Sequence, residues 1–286
     1  MGIHQADLRE LLLFLADSGA DEALEEAPVD RFAESQARLA RPAPEPVPAE
    51  PAREPRRRLG EAPAGPPVAP RQAAPPAAIP DEAQAARARE LARSAASMED
   101  LRAILAGFDG CNLKFTAKNL VFADGNPKAD IMFVGEAPGR DEDVEGLPFV
   151  GRSGKLLDRM LAAIGLDRSS AYIANVIPWR PPGNRTPTPL ETELCRPFIE
   201  RQVELANPKV LVTLGGPSAK VLLGATEGVL RLRGNWRVHR TASGLEIPAM
   251  PTLHPAYLLR NPAHKRLAWR DFLEIKARLR LQGPAP

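Results

Sequence analysis

Residues 129–139 read Ala-Asp-Ile-Met-Phe-Val-Gly-Glu-Ala-Pro-Gly, and the fold turns on them. The run ADIMFV (129–134) is short and apolar, which marks a buried strand, and Gly-Glu-Ala-Pro-Gly closes it with a turn. Downstream, 153–164 sets Leu156, Leu157, Met160, Leu161 and Ile164 on one side of a helix that Gly165 stops. AYIANV (171–176) is a second strand. Thr188-Pro189-Leu190-Glu191 supplies an N-cap, a proline at the first helical position and a glutamate at the third, so a helix runs from there to about Ala206. KVLVTL (209–214) is a third strand and 216–223 a short helix. Residues 229–247 read as a β-hairpin excursion turning at Ser243-Gly244, 247–253 as the last strand, and 262–281 as a closing amphipathic helix. Strands alternating with helices imply an α/β fold with a parallel sheet covered on both faces.

Upstream the chain changes character. Of 31 prolines among 286 residues, 13 fall within 42–80. That stretch has no aromatic residue, and its only large aliphatics are Val47, Leu59, Val68 and Ile79. Too little apolar surface is available there to offset the entropy of ordering, so it reads as a disordered linker. Before it, 6–27 reads as one or two short helices, with Leu8, Leu11, Leu12 and Leu15 on one face and Gly19 able to stop the first. After it, 81–94 is rich in Ala, Arg and Glu and reads as an exposed helix, and Ser97 with Asp100 signals a helix over 98–106 ended by Gly107. The expected organisation is a helical segment at 1–40, a linker at 41–80, a helical lead-in at 81–107 and one domain at 108–281. A domain of that size can bury a full core.

The net charge of +2 hides an asymmetry: residues 1–107 carry 13 basic and 18 acidic side chains, residues 108–286 carry 25 and 18. Residues 231–280 alone carry 11 and 3, a balance suited to an anionic partner such as nucleic acid. Cys111 and Cys195 lie far apart in sequence, with no Cys-x-x-Cys and no disulfide framework. The apolar run at 11–16 is too short to span a bilayer and lacks a basic leader, so the chain reads as soluble and cytoplasmic.

In a parallel sheet, ligands bind beyond the carboxyl ends of the strands. Four features gather on that rim: Glu136 and Ala137 in the turn after the first strand, Asn175 ending the second, Gly215-Gly216-Pro217-Ser218 after the third, and His254-Pro255 after the last. Each alone fits a structural job, as a turn, a cap, a helix start or a satisfied histidine. Together they bring a carboxylate, an amide, backbone N–H groups and an imidazole to one place. No Gly-x-Gly-x-x-Gly follows the first strand and no Walker lysine follows a glycine-rich loop, which argues against nucleotide cofactors.

Three longer strings, GEAPGRDEDVEGLPFVGRSGKLL (135–157), YIANVIPWRPPGNRTP (172–187) and TLHPAYLLR (252–260), resemble the family 4 uracil-DNA glycosylases over about residues 108–277. The resemblance implies a four-stranded parallel sheet between helices, in three α/β/α layers. It also implies flipping of uracil out of DNA and hydrolysis of its N-glycosidic bond. On the matched motifs, Phe149 is the ring that stacks on the base, Asn175 the reader of its Watson–Crick edge, with Ala137 beside them, and His254 the donor to uracil O2. Glu136 holds or activates the water, and Glu142 assists through water or by stabilising the cation. Gly215, Ser218, Arg260 and Lys265 are expected to contact DNA. Leu258, with Tyr257 and Leu259, is expected to fill the gap left by the base.

The family also carries four cysteines for a 4Fe–4S cluster. Here those positions are Phe108, Cys111, Trp179 and Cys195, so only two ligands survive and no cofactor is expected. Phe108 and Trp179 are expected to fill the cluster volume. Implied partners are uracil-containing DNA and, through the N-terminal segment, a repair or replication protein; the chain is expected to be monomeric and not to engage a membrane. The alternative reading is a catalytically weak module that binds uracil-DNA or single-stranded DNA. Retention of Glu136, Phe149, Asn175 and His254 favours the enzyme.

Overall fold

The apolar runs become strands of one sheet. The computed structural model describes residues 82–281 and Gly283; the helical segment read at 6–27 and the linker at 42–80 lie outside the described residues. The strands are β1 (Ala123–Gly125), β2 (Ile131–Gly135), β3 (Tyr172–Asn175), β4 (Val210–Leu214), β5 (Arg237–Arg240) and β6 (Glu246–Thr252). Their order is β1-β3-β2-β4-β6-β5. The four inner strands are parallel, as the sequence implied. The sheet is nevertheless six-stranded, because β1 and β5 add antiparallel edges beside β3 and β6. The hairpin reading anticipated β5. Strand β1 has only three residues and ends on a glycine, too short for any periodicity to register.

Side chains alternate across the sheet and build two cores. Met132, Val134, Tyr172, Ala174 and Leu211 face one side, where helices α1 (Glu82–Ser94), α2 (Met98–Gly107) and α3 (Leu113–Thr116) contribute to the same apolar cluster. Ile131, Phe133, Ile173, Val210 and Val212 face the other. After β2 come α4 (Arg140–Glu145) and α5 (Arg152–Ala163); α6 (Pro189–Ala206) precedes β4, while α7 (Gly216–Leu223) and α8 (Val229–Leu232) follow it. The chain ends with α9 (Pro255–Arg260) and α10 (Lys265–Leu281). Leu157 and Leu161 of α5 and Phe272 and Ile275 of α10 cover the second face. Both helix starts read from Ser97 and Thr188 are capping boxes: Asp100 N–H donates to Ser97 Oγ at 3.0 Å and Glu191 N–H to Thr188 Oγ1 at 3.2 Å.

Helix α1 is not the exposed helix its composition suggested. Ala85, Ala88 and Ala92 form a buried stripe, and α1 packs on α6. Alanine removes little area per residue but allows close helix approach, and charge on the opposite face disguised the stripe. The Arg201 guanidinium of α6 donates to the Ala95 carbonyl at 2.7 Å and secures the end of this helix.

Candidate active site

Because the inner strands run parallel, their carboxyl ends share one rim, and a cavity of about 520 Å3 opens there. Glu136, Ala137, Phe149, Asn175, Gly215 and His254, from five separate segments, all line it. Ranged around them are Tyr257, Arg260 and the 184–187 loop.

Asn175 ends β3 opposite Gly135 of β2. Its side chain is buried, and its Oδ1 accepts no hydrogen bond. Gly135 is required here by proximity: a Cβ at 135 would collide with Asn175 Oδ1 and stand 2.6 Å from the Phe149 ring. Phe149 is buried, and its ring lies stacked toward His254, with centroids 5.5 Å apart and planes 29° apart.

His254 caps α9. Its Nδ1 accepts from the Ala256 N–H at 3.0 Å, so the ring hydrogen of the neutral imidazole sits on Nε2. Burial, aided by the Arg260 charge, pushes its pKa down to about 4 and keeps it neutral at pH 7. Glu136 is half-buried, and loss of solvent raises its pKa above the usual carboxylate value. Glu142 also lines the cavity, but its oxygens are taken. Oε2 accepts from Gly139 N–H at 3.0 Å, and Oε1 from Val150 and Gly151 N–H at 3.1 and 3.0 Å. It ties the first turn to the loop that carries Phe149.

The expected DNA contacts divide. Arg260 and Lys265 are exposed. Gly215 forms cavity wall, with φ +97° and its N–H donating to the Thr252 carbonyl at 2.9 Å. Ser218 is fully buried and its hydroxyl donates to the Gly215 carbonyl at 3.1 Å, so it holds the turn and the exposed Pro217 stands at the surface instead. Leu258 is likewise corrected. On the amphipathic α9 it is 1% exposed, packed with Leu253 and Ala268, whereas Leu259 is 37% exposed. Of these two leucines, Leu259 is the one at the surface. Sequence reasoning did not assign site roles to Asn184, Arg185, Thr186 and Pro187, although they sit inside a quoted motif. Arg185 is fastened to Glu191 at 2.6 and 2.9 Å, which ties this loop to the start of α6.

The four positions corresponding to the family's cluster ligands do not fit a 4Fe–4S group, which takes one thiolate per iron. Phe108, Cys111, Trp179 and Cys195 are all buried in one apolar cluster, and the Phe108 ring packs on Phe198 with centroids 5.1 Å apart. The two sulfurs lie 3.9 Å apart. Their shared hydrogen bond, with burial, pushes the Cys195 thiol up and pulls the Cys111 thiol down. Among the described residues, no group of three or more His, Cys, Asp or Glu is placed to hold a metal.

The fold is α/β, and its rim cavity brings together a carboxylate, an aromatic ring, an amide and an imidazole. The uracil DNA glycosylase superfamily matches residues 122–273, and the chain belongs to that family. A type-4 uracil-DNA glycosylase of Archaeoglobus fulgidus is 41% identical over 184 residues, covering 63% of this chain and 92% of that protein. The type-4 uracil-DNA glycosylase of Sulfurisphaera tokodaii is 40% identical over 185 residues, 63% of this chain and 84% of its own. That of Thermotoga maritima is 39% identical over 179 residues, 60% and 90% respectively.

Proposed function

We propose that the chain is a uracil-DNA glycosylase that draws uracil out of DNA, hydrolyses its N-glycosidic bond and leaves an abasic site. The observation that carries this reading is the unpaired, buried Oδ1 of Asn175 in a cavity it shares with Phe149 and His254. An unmatched buried acceptor costs about 1–3 kcal/mol. Uracil N3–H relieves that cost, while the carboxamide N–H donates to O4. Cytosine presents the reverse pattern at both atoms and is refused. The Phe149 ring supplies the stacking face.

As the bond between C1′ and N1 breaks, its electron pair goes to the base and positive charge remains on the sugar. The negative charge reaches O2, where the Nε2–H of neutral His254 donates. Such aimed donors contribute about 3–4 kcal/mol in the transition state. Glu136 faces the same cavity, holds the water that adds to C1′ and accepts its proton. As an anion it also stabilises the sugar cation. Glu142 serves as a brace for the Phe149 loop, since its oxygens are committed to backbone.

We infer further that the domain folds without a cluster, that Arg260, Lys265 and Leu259 meet the DNA, and that the protein acts as a cytoplasmic monomer whose N-terminal segment binds a repair or replication partner. Among the described residues no helix is long and apolar enough to cross a membrane. The test is a labelled oligonucleotide containing one uracil, incubated with excess protein and then cleaved with alkali. Strand scission at the uracil is expected. Binding without scission would favour the catalytically weak module.

A further inference from the structure

We propose that Arg168 is a positioning residue for excision: it holds the backbone of Phe149 in a left-handed conformation and so fixes the plane on which the base stacks. Phe149 has φ +55°. Among the described residues the other non-glycine positions with positive φ are Asn184 and Asn207, and asparagine tolerates that region far better than phenylalanine. Holding a bulky residue there costs of order 1–3 kcal/mol, so the surroundings must enforce it.

Arg168, in the loop between α5 and β3, does the enforcing. Its Nη2 donates to the Phe149 carbonyl and its Nη1 to the Pro148 carbonyl at 3.1 Å. The guanidinium is itself held from two sides, by Asp124 of β1 at 2.5 Å and by Asp158 of α5 at 2.8 Å. Four acceptors thus use one planar fork, a pattern lysine cannot reproduce. Gly154 completes the clamp: a Cβ at 154 would overlap the Phe149 carbonyl, so only glycine lets α5 pass over it. Arg168 does not line the cavity. Its route to the chemistry is the Phe149 backbone. Without the clamp, Phe149 relaxes toward negative φ and its ring turns away from the position 5.5 Å from His254. The short edge strand β1 thereby acquires a purpose, as the carrier of Asp124.

This inference rests on Phe149 being the stacking ring, and the test separates the two claims. Single-turnover excision is measured for wild type, Phe149→Ala, Arg168→Ala and the double variant, with DNA affinity measured alongside. Phe149→Ala should slow excision by about 100-fold, and Arg168→Ala by about 10–100-fold, the range in which small misplacements act. DNA affinity should stay near wild type, and the double variant should be no slower than Phe149→Ala alone. Arg168→Lys keeps the charge and guards against a folding failure. It should restore thermal stability more than it restores rate. Full activity in Phe149→Ala would remove the stacking role and the Arg168 role with it. A slow Phe149→Ala combined with wild-type rates in both Arg168 variants, or with Arg168 effects that multiply in the double variant, would overturn the Arg168 proposal and leave stacking intact.

Discussion

The rim that carries Asn175 and the corner where Cys111 meets Cys195 both draw on the chain that leaves β3, yet they treat their buried groups in opposite ways. At the rim, Asn175 Oδ1 is buried without a partner, His254 is kept neutral, and a non-glycine residue sits at positive φ. Four residues beyond Asn175, Trp179 is sealed into an apolar cluster with Phe108, Phe198 and two thiols 3.9 Å apart. The unmatched Asn175 Oδ1 belongs to a side chain that lines an open cavity, where a ligand can complete it. The corner's surfaces match by packing. The rim should therefore govern rate and the corner stability, and variants in each should separate the two properties.

The largest effect is expected at the reader. Asn175→Ala should lower single-turnover excision by about ten-thousand-fold, the range seen when a matched polar contact in a buried recognition site is lost. Asn175→Asp should also be slow on uracil, and a protonated carboxyl offers a donor pattern that admits cytosine. Assaying both bases tests this, and wild-type uracil activity in either variant would remove Asn175 from the site. Next is His254→Ala, expected to cost about a hundred- to a thousand-fold with DNA affinity nearly unchanged, because the donor acts on charge that develops during bond cleavage.

The corner should respond in the other currency. Phe108→Ala removes a buried ring and should lower unfolding stability by about 3–5 kcal/mol, read from denaturant curves, while the excision rate per folded molecule stays within about twofold. A large rate loss at preserved stability would break the contrast. Smaller still is the pH response. The His254 pKa of about 4 keeps its ring neutral through mildly acid conditions, whereas Glu136 must be ionised and its pKa is raised. The rate should therefore fall with decreasing pH while His254 is still neutral, and Glu136→Gln should be slow but lack that acid limb. A limb retained in Glu136→Gln would assign it to another group.

The sequence exposed the rim because strand ends and punctuating residues locate it without knowledge of packing. The runs at 129–134, 171–176 and 209–214 are too apolar to be anything but buried strands, and Glu136, Asn175 and His254 follow from where such strands end. What escaped notice depends on distance through space. The buried face of α1 is three alanines, weak in any hydropathy pattern, and shows only when α6 lies against it. Ser218 and Leu258 carry suitable chemistry for DNA, but a turn and an amphipathic helix face them inward. Arg168 is an ordinary loop arginine until Asp124, Asp158 and the Phe149 carbonyl surround it. The α1 packing yields a further, modest expectation: a chain beginning at Glu82 should melt like the full-length protein, and one beginning at Ala95 should melt several degrees lower.

We propose a uracil-DNA glycosylase pocket that stands on a corner closed by packing instead of by a cluster. It is tested most directly by measuring single-turnover uracil excision and iron content on one anaerobically purified sample of the full chain. Alkali-labile sites at uracil are expected together with far less than one iron per chain, and a rate unchanged by a chelator. About four irons per chain, or excision that disappears in step with iron removal, would contradict it.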